Sequence, residues 1–245
     1  MFKGKKVIIF DMDGTLIDSV GVWNEVDRNL IRKLGFLEEL DDKTIQKQRD
    51  CLLRDFSKAE NPYLEYCKCL AEKYHANLST EEILKLRYEI AQDYLKNEID
   101  YKPVADKFIK KLKGKGFTLA IASTTRRPNM NLYRTENKNI MNKARLDDYF
   151  SLIFTREDVT EIKPNPEVFL KVAKELKVKK DKCLIFEDSL VGVEAAKKAG
   201  IEVVVIYDKY SDEDQKQMNQ LSDFQIKDYF GAIEILNKEL MDEEN

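Results

Sequence analysis

The sequence predicts an α/β protein built on a doubly wound parallel sheet, with a helical module inserted after the first strand. Three observations predict it. Val7-Ile8-Ile9-Phe10 is an apolar run with three β-branched residues, which reads as a strand buried on both faces. Residues 20 to about 98 show helical spacing and no strand signal. From Pro103 onward, short apolar runs alternate with amphipathic helical stretches, the pattern of successive βαβ units.

The elements follow in order. The first strand stops at Asp11-Met12-Asp13-Gly14-Thr15, which places two aspartates at the carboxyl edge of the sheet, where open α/β folds put their sites. Val22, Trp23, Val26, Leu30, Ile31 and Leu34 form a helical stripe, and Gly35 supplies a stop. Ile45, Leu52, Leu53 and Phe56 mark a second helix, and Pro62 opens a third that carries Tyr63, Tyr66, Cys67, Leu70 and Tyr74. Ser79-Thr80-Glu81-Glu82 is a capping-box pattern ahead of a fourth helix, with Ile83, Leu86, Ile90 and Tyr94 on its apolar face. The aromatics of this module read as core.

A helix from Pro103 ends near Gly114-Lys115-Gly116. Residues 117–122 form a second strand, which ends at Ser123-Thr124-Thr125. Residues 126–147 are mostly helical or irregular, and Ser151 to Thr155 is a short third strand. A helix over Pro166 to Leu176 and a fourth strand over Cys183 to Phe186 follow, the latter ending at Glu187-Asp188-Ser189. A Val- and Ala-rich helix runs to Gly200, and Ile201 to Ile206 is a fifth strand. The tail holds a last strand near Phe224–Ile226, a helix from about Tyr229 and a frayed acidic end.

Composition sets bounds. The 245 residues suit one large domain, or one core with an inserted module. Lysine and arginine number 42 against 45 acidic residues, for a net charge of -3, so nothing recommends a nucleic-acid binder. Cys67 and Cys69 form C-x-C and not C-x-x-C, so the four cysteines read as reduced thiols of a cytoplasmic protein. The basic start and the short apolar run after it make neither a signal peptide nor a membrane span.

Asp11 and Asp13 repel each other unless a cation or a shared proton relieves them, and oxygen ligands favour Mg²⁺. An Asx-turn or a calcium loop shares Asp-x-Asp-Gly. A calcium hand, however, needs further oxygen ligands and a closing Glu, and this turn runs straight into Leu16-Ile17. Ser123 and Thr124 offer hydroxyls and N–H groups to phosphate oxygens. Lys163 follows the third strand, with a solvated surface lysine as the plainer alternative. Glu187 and Asp188 end the fourth strand.

Together these motifs resemble the haloacid dehalogenase superfamily of phosphohydrolases, in the branch with a helical cap after the first strand, and are similar to the β-phosphoglucomutase-like phosphatases. The matching residues are Asp11-Met12-Asp13-Gly14-Thr15, Ser123, Lys163-Pro164, and Glu187-Asp188-Ser189 with Gly192 and Ala195-Ala196. The resemblance implies a core of residues 1–19 and 99–245 and a cap of residues 20–98. It implies Asp11 as nucleophile and Asp13 as general acid and then base, the Asp13 backbone carbonyl also meeting Mg²⁺. Ser123 and the Thr124 N–H would hold phosphate together with Asp11, Met12, Asp13 and Lys163, and Lys163 would neutralise charge. Glu187 and Asp188 would complete the metal shell with Asp11 and Asp13. The expected substrate is a small phosphorylated metabolite, and the expected particle is a monomer or weak dimer.

Departures bear on specificity. Ile162 stands where relatives carry a small glycine, and the segment from Arg126 to Tyr149 is longer than in close relatives. Arg126 and Arg127 are candidates to touch a substrate anion, against the plainer reading of a solvated face. Trp23 and Arg49 are the candidate specificity residues of the cap. A sugar-phosphate mutase of this family is the main alternative, but Trp23 occupies the position of its cap histidine, and the sole histidine, His75, reads as a surface residue. A non-catalytic sugar-phosphate-binding protein is the alternative from another class, and the intact set of four motifs disfavours it; a pure interaction module would not need Asp13, and a dehalogenase would need neither Asp13 nor the metal acids.

Overall fold

The structure, a computed structural model, describes residues 1–36 and 40–243. Its centre is the doubly wound sheet that the apolar runs predict. Six strands, β1 (Val7–Phe10), β2 (Thr118–Ala122), β3 (Phe150–Phe154), β4 (Cys183–Glu187), β5 (Glu202–Ile206) and β6 (Phe224–Ile226), lie in the order β3-β2-β1-β4-β5-β6. Every pairing is parallel. Parallel strands pack helices on both faces, so β1 and β4 are buried along their whole length.

Alternate side chains of β1 enter two different cores. Ile8 and Phe10 join Phe108, Ile109 and Leu112 of α5 (Ala105–Gly114) and Leu236 of α12 (Tyr229–Glu243). Val7 and Ile9 join Phe169 and Val172 of α9 (Glu167–Glu175) and Val193 and Ala196 of α10 (Leu190–Ala199). On the first face Phe10, Phe108 and Phe186 form a ring cluster, with Phe10 and Phe186 stacked at 5.0 Å between centroids.

Between β1 and α5 come α1 (Val20–Lys33), α2 (Asp42–Asp55), α3 (Pro62–Lys73) and α4 (Thr80–Asp93). Leu30, Ile31, Tyr66, Cys67, Leu70 and Ile83 form a separate apolar cluster among them. The capping box forms as its pattern predicts, with Ser79 Oγ accepting from the Glu82 N–H and Glu82 accepting from the Ser79 N–H. α4 runs on into a single π-helical turn, Tyr94–Glu98, which no local pattern announces. Ile17 and Tyr101 then pair, so the outgoing and returning linkers run side by side.

The stretch over 126–147 is helical in three pieces, α6 (Arg127–Thr135), α7 (Lys138–Lys143) and α8 (Leu146–Tyr149). A short helix, α11 (Gln215–Leu221), was not expected; its seven residues hold one buried apolar side chain, Met218, too few to write a stripe. The acidic end extends α12 to Glu243, and Glu244 and Asn245 lie outside the described residues. Among the described residues no helix is long and apolar enough to cross a membrane.

Candidate active site

The strand order reverses at β1, which has β2 on one side and β4 on the other. Ligand sites in open α/β sheets form at the carboxyl ends of strands beside such a reversal. Asp11 leaves β1 there, its N–H bound to the Phe186 carbonyl at 3.0 Å. β4 delivers Glu187 and, one residue on, Asp188. Carboxylate oxygens of Asp11, Glu187 and Asp188 lie within 4.8 Å of one another, and all three residues are buried.

Lys163 meets this cluster from the loop after β3. Its ammonium donates at 2.5 Å to Asp11 Oδ1 and at 2.5 Å to Glu187 Oε1, and it is 4% exposed. The sequence alternative of a solvated lysine is thereby excluded. Asp188 Oδ1 accepts from Thr15 Oγ1 at 2.6 Å, and Glu187 Oε2 accepts from Ser189 Oγ at 3.2 Å. Glycines let the backbone come this close. A Cβ on Gly192 would overlap the Glu187 carboxylate, and one on Gly14, at φ +80°, would overlap that of Asp188.

Burial and like charge govern the electrostatics. Burial, together with Glu187 and Asp13, outweighs the Lys163 ammonium and pushes Asp11 up to about 7. Asp188 is also pushed well up, by burial and then by Glu187 and Asp11. Lys163 is raised: burial works against its charge, but Asp11 and Glu187 more than compensate. One ammonium among three buried carboxylates leaves negative charge uncompensated, and an all-oxygen donor set of this kind fits a divalent cation such as Mg²⁺.

Asp13 sits apart from the cluster in a cradle of donors. Ser19 Oγ at 2.6 Å, Trp23 Nε1 at 3.1 Å and the Tyr133 hydroxyl at 3.3 Å all donate to Oδ1, and Thr125 Oγ1 donates to Oδ2. Ser123 is buried at the end of β2 and its Oγ accepts from the Thr125 N–H at 3.0 Å. Thr124 is half-buried, and its carbonyl accepts from the Tyr63 hydroxyl at 3.4 Å. The Met12 side chain is buried in the core that also holds Ile8 and Phe10.

Asp11, Asp13, Ser123, Thr124, Lys163 and Asp188 line one cavity of about 730 Å³ together with Trp23, Arg49 and Arg126. Helices α1 to α4 supply much of its wall. Arg49 is buried and donates to Asp27 at 2.9 Å. The same carboxylate takes Arg87 Nε at 2.6 Å, and the Arg87 guanidinium lies 4.7 Å from the Trp23 ring centroid. Burial raises Asp27, but the two guanidinium groups outweigh it and hold it below the usual carboxylate range. Arg126 pairs with Glu157 at 3.3 Å and covers the Tyr88 ring, and Arg127 pairs with Asp158 at 2.5 Å, so neither is a free cation.

Sequence reasoning missed Thr125, Tyr133 and the Asp27–Arg87 pair. The pair left a signal: a charged residue in step with an apolar stripe, Asp27 beside Val26 and Leu30, and Arg87 beside Ile83 and Ile90. Thr125 stands at the same strand end as Ser123 and Thr124, which is its signal; Tyr133 left none, because only the tertiary fold brings it to Asp13.

Residues 8–206 match the family of haloacid dehalogenase-like hydrolases. YhcW of Bacillus subtilis is 31% identical over 83% of this chain and 84% of its own length. A phosphorylated carbohydrates phosphatase of Thermotoga maritima is 28% identical over 80% of this chain and 82% of its own. Among solved structures, CbbY from Rhodobacter sphaeroides in complex with phosphate superimposes with a TM-score of 0.72 over 92% of this chain and 95% of its own, at 23% identity, a likeness of fold.

Proposed function

Because the chain belongs to the haloacid dehalogenase-like hydrolases and is a phosphatase of small phosphorylated compounds, we propose that it is Mg²⁺-dependent and works through an aspartyl-phosphate on Asp11. The observation that carries this reading is the Lys163 ammonium, held between Asp11 and Glu187 beside converging buried carboxylates. An anionic nucleophile reaches an anionic phosphate only where cations offset the repulsion. Asp11, Glu187 and Asp188, with the Asp13 carbonyl, would hold Mg²⁺, which supplies charge neutralisation to the phosphoryl group when bound.

The residues divide the work. Asp11 attacks phosphorus, and the bond from phosphorus to the leaving oxygen breaks. Asp13 gives that oxygen a proton, then takes one from the water that cleaves the acyl phosphate. Ser123, the Thr124 N–H and the Met12 backbone hold phosphoryl oxygens, and Lys163 neutralises one of them. Residues 20–98 act as a cap over a core of residues 1–19 and 99–245, keeping bulk water from the cavity while the one attacking water is admitted. Trp23, Arg49 and Arg126, on its wall, meet the leaving group. Small sugar phosphates and similar metabolites are the substrate class.

Hydrolysis is favoured over mutase turnover. Trp23 occupies the position of a mutase's cap histidine, and its indole carries no exchangeable proton suited to relay; the N–H is spent on Asp13. Four free cysteines accord with a reducing cytoplasm and the net charge of -3 with a substrate other than nucleic acid, met by a monomer or weak dimer. Phosphate release from a panel of sugar phosphates and short organic phosphates, with Mg²⁺ and with chelator, tests the proposal. Loss of turnover in chelator is expected, and full activity there would overturn the metal assignment.

A further inference from the structure

Beyond Arg126 the long 126–149 segment has no part in the chemistry above, yet it touches both the acid–base carboxylate and the linker by which the chain returns from α4 to the sheet. Tyr133, near the end of α6, is fully buried and donates to Asp13 Oδ1 at 3.3 Å. Burial, followed by the Asp13 charge, raises its hydroxyl well above the usual range, so it stays a donor. Asn137 lies four residues on, also fully buried. Its Nδ2 donates at 2.6 Å to the Leu95 carbonyl and at 2.9 Å to the Ile99 carbonyl, and its Oδ1 accepts from the Ile140 N–H at 2.8 Å.

The carbonyls it meets have a reason to need it. In the π-helical turn the Ile99 N–H reaches back to the Tyr94 carbonyl at 3.1 Å, and the helix then stops. Leu95 and Ile99 are thus buried at a helix end, where carbonyls lack intrahelical donors. Capping of α7 would use only Oδ1, and Asn137 spends both amide protons on the linker as well. Four more contacts follow the same line. Asn139 Nδ2 reaches the Ile99 carbonyl at 3.2 Å, Tyr101 donates to the Ala144 carbonyl at 2.6 Å, Lys96 pairs with Glu136 at 2.9 Å, and Lys143 pairs with Asp100.

We propose that Tyr133 and Asn137 are positioning residues: Tyr133 orients the Asp13 carboxylate while Asn137 fixes the return linker at Leu95–Ile99. One short stretch of chain thereby sets both the acid–base group and the pivot on which α1–α4 seat over the cavity. This rests on the acid–base reading of Asp13.

The test compares Asn137→Ser, whose hydroxyl keeps an N-cap acceptor for α7 but cannot reach both carbonyls, with Tyr133→Phe, which keeps the ring. Hydrogen–deuterium exchange of peptides covering 94–101 is read first, on metal-free protein. Loss of two buried hydrogen bonds is expected to speed exchange there about tenfold in Asn137→Ser. Asn139→Ala, at a less buried site, gives a smaller rise in the same peptides if the serine variant does not fold. Turnover is read second. Tyr133→Phe is expected to lower kcat for an alkyl phosphate several-fold more than for an aryl phosphate, with KM little changed. Asn137→Ser shows the same preference, and the double variant is no worse than the more impaired single one. Unchanged exchange over 94–101 in both linker variants would overturn the clamp. Equal loss on both esters in Tyr133→Phe would overturn the positioning of Asp13. An Asp13→Asn protein that keeps full alkyl ester turnover would instead break the acid–base reading, while the exchange result still judges the clamp by itself.

Discussion

Asp11 and Asp13 stand two residues apart in surroundings built for different tasks. Asp11 touches the ammonium and the other acids, whereas the Asp13 carboxylate accepts from neutral donors among the described residues. Asp13→Asn removes the proton that a leaving oxygen needs, a contribution commonly worth about 10²–10⁴-fold. Alkyl phosphates should therefore lose far more than an activated aryl phosphate, which departs without a proton, and steady-state kcat for the two esters checks this. A second outcome concerns pH. Burial holds the folded-state pKa of Asp11 at about 7 against an ordinary 3.8. In metal-free protein that carboxyl is favoured as its neutral form, so its contribution to stability is whole at low pH and is lost as pH rises toward 7. Mg²⁺ has to displace that proton. The rise in melting temperature on adding Mg²⁺ should grow from pH 5 to pH 8, and a shift independent of pH would contradict the assigned ligand set.

At the scale of elements, two packing arrangements hold these residues. α10 comes so near the Glu187 carboxylate that only glycine fits at position 192. Gly192→Ala should cost about 1–3 kcal/mol in chemical denaturation, as overpacking does, and lower kcat, because Glu187 orients Lys163. In the helices over the cavity, Asp27 binds Arg49 and Arg87 together while fully buried. Asp27→Asn breaks a buried ion cluster and should destabilise the protein by about 3–5 kcal/mol. The strands were legible because buried parallel strands write continuous apolar runs, and α4 because its capping box is local. The π-helical turn and α11 were not, since neither has a pattern longer than its own few residues. The motif residues were legible because strand ends gather chemistry. Tyr133 reaches Asp13 from a helix far along the chain, which no spacing encodes.

For the whole molecule, the sheet, the helices over its carboxyl edge and the linkers between them enclose one cavity with an acidic floor and a wall of arginines and aromatics. Contacts between the stretch from α1 to α4 and the rest of the chain accompany that arrangement: Gln46 donates to the Tyr210 carbonyl at 2.8 Å, Arg54 pairs with Glu194 at 2.7 Å, and Arg156 donates to the Glu60 carbonyl at 2.7 Å. The central claim is that the phosphoryl group passes through Asp11 in this enclosure. Rapid-quench mass spectrometry tests it most directly, on wild type, Asp11→Asn and Asp13→Asn mixed with an aryl phosphate and Mg²⁺. The account predicts phosphoryl mass on the peptide carrying Asp11, accumulating most in Asp13→Asn, where water is activated slowly, and absent from Asp11→Asn. An adduct on the Asp11→Asn protein, or on any other peptide of the wild type, would contradict it.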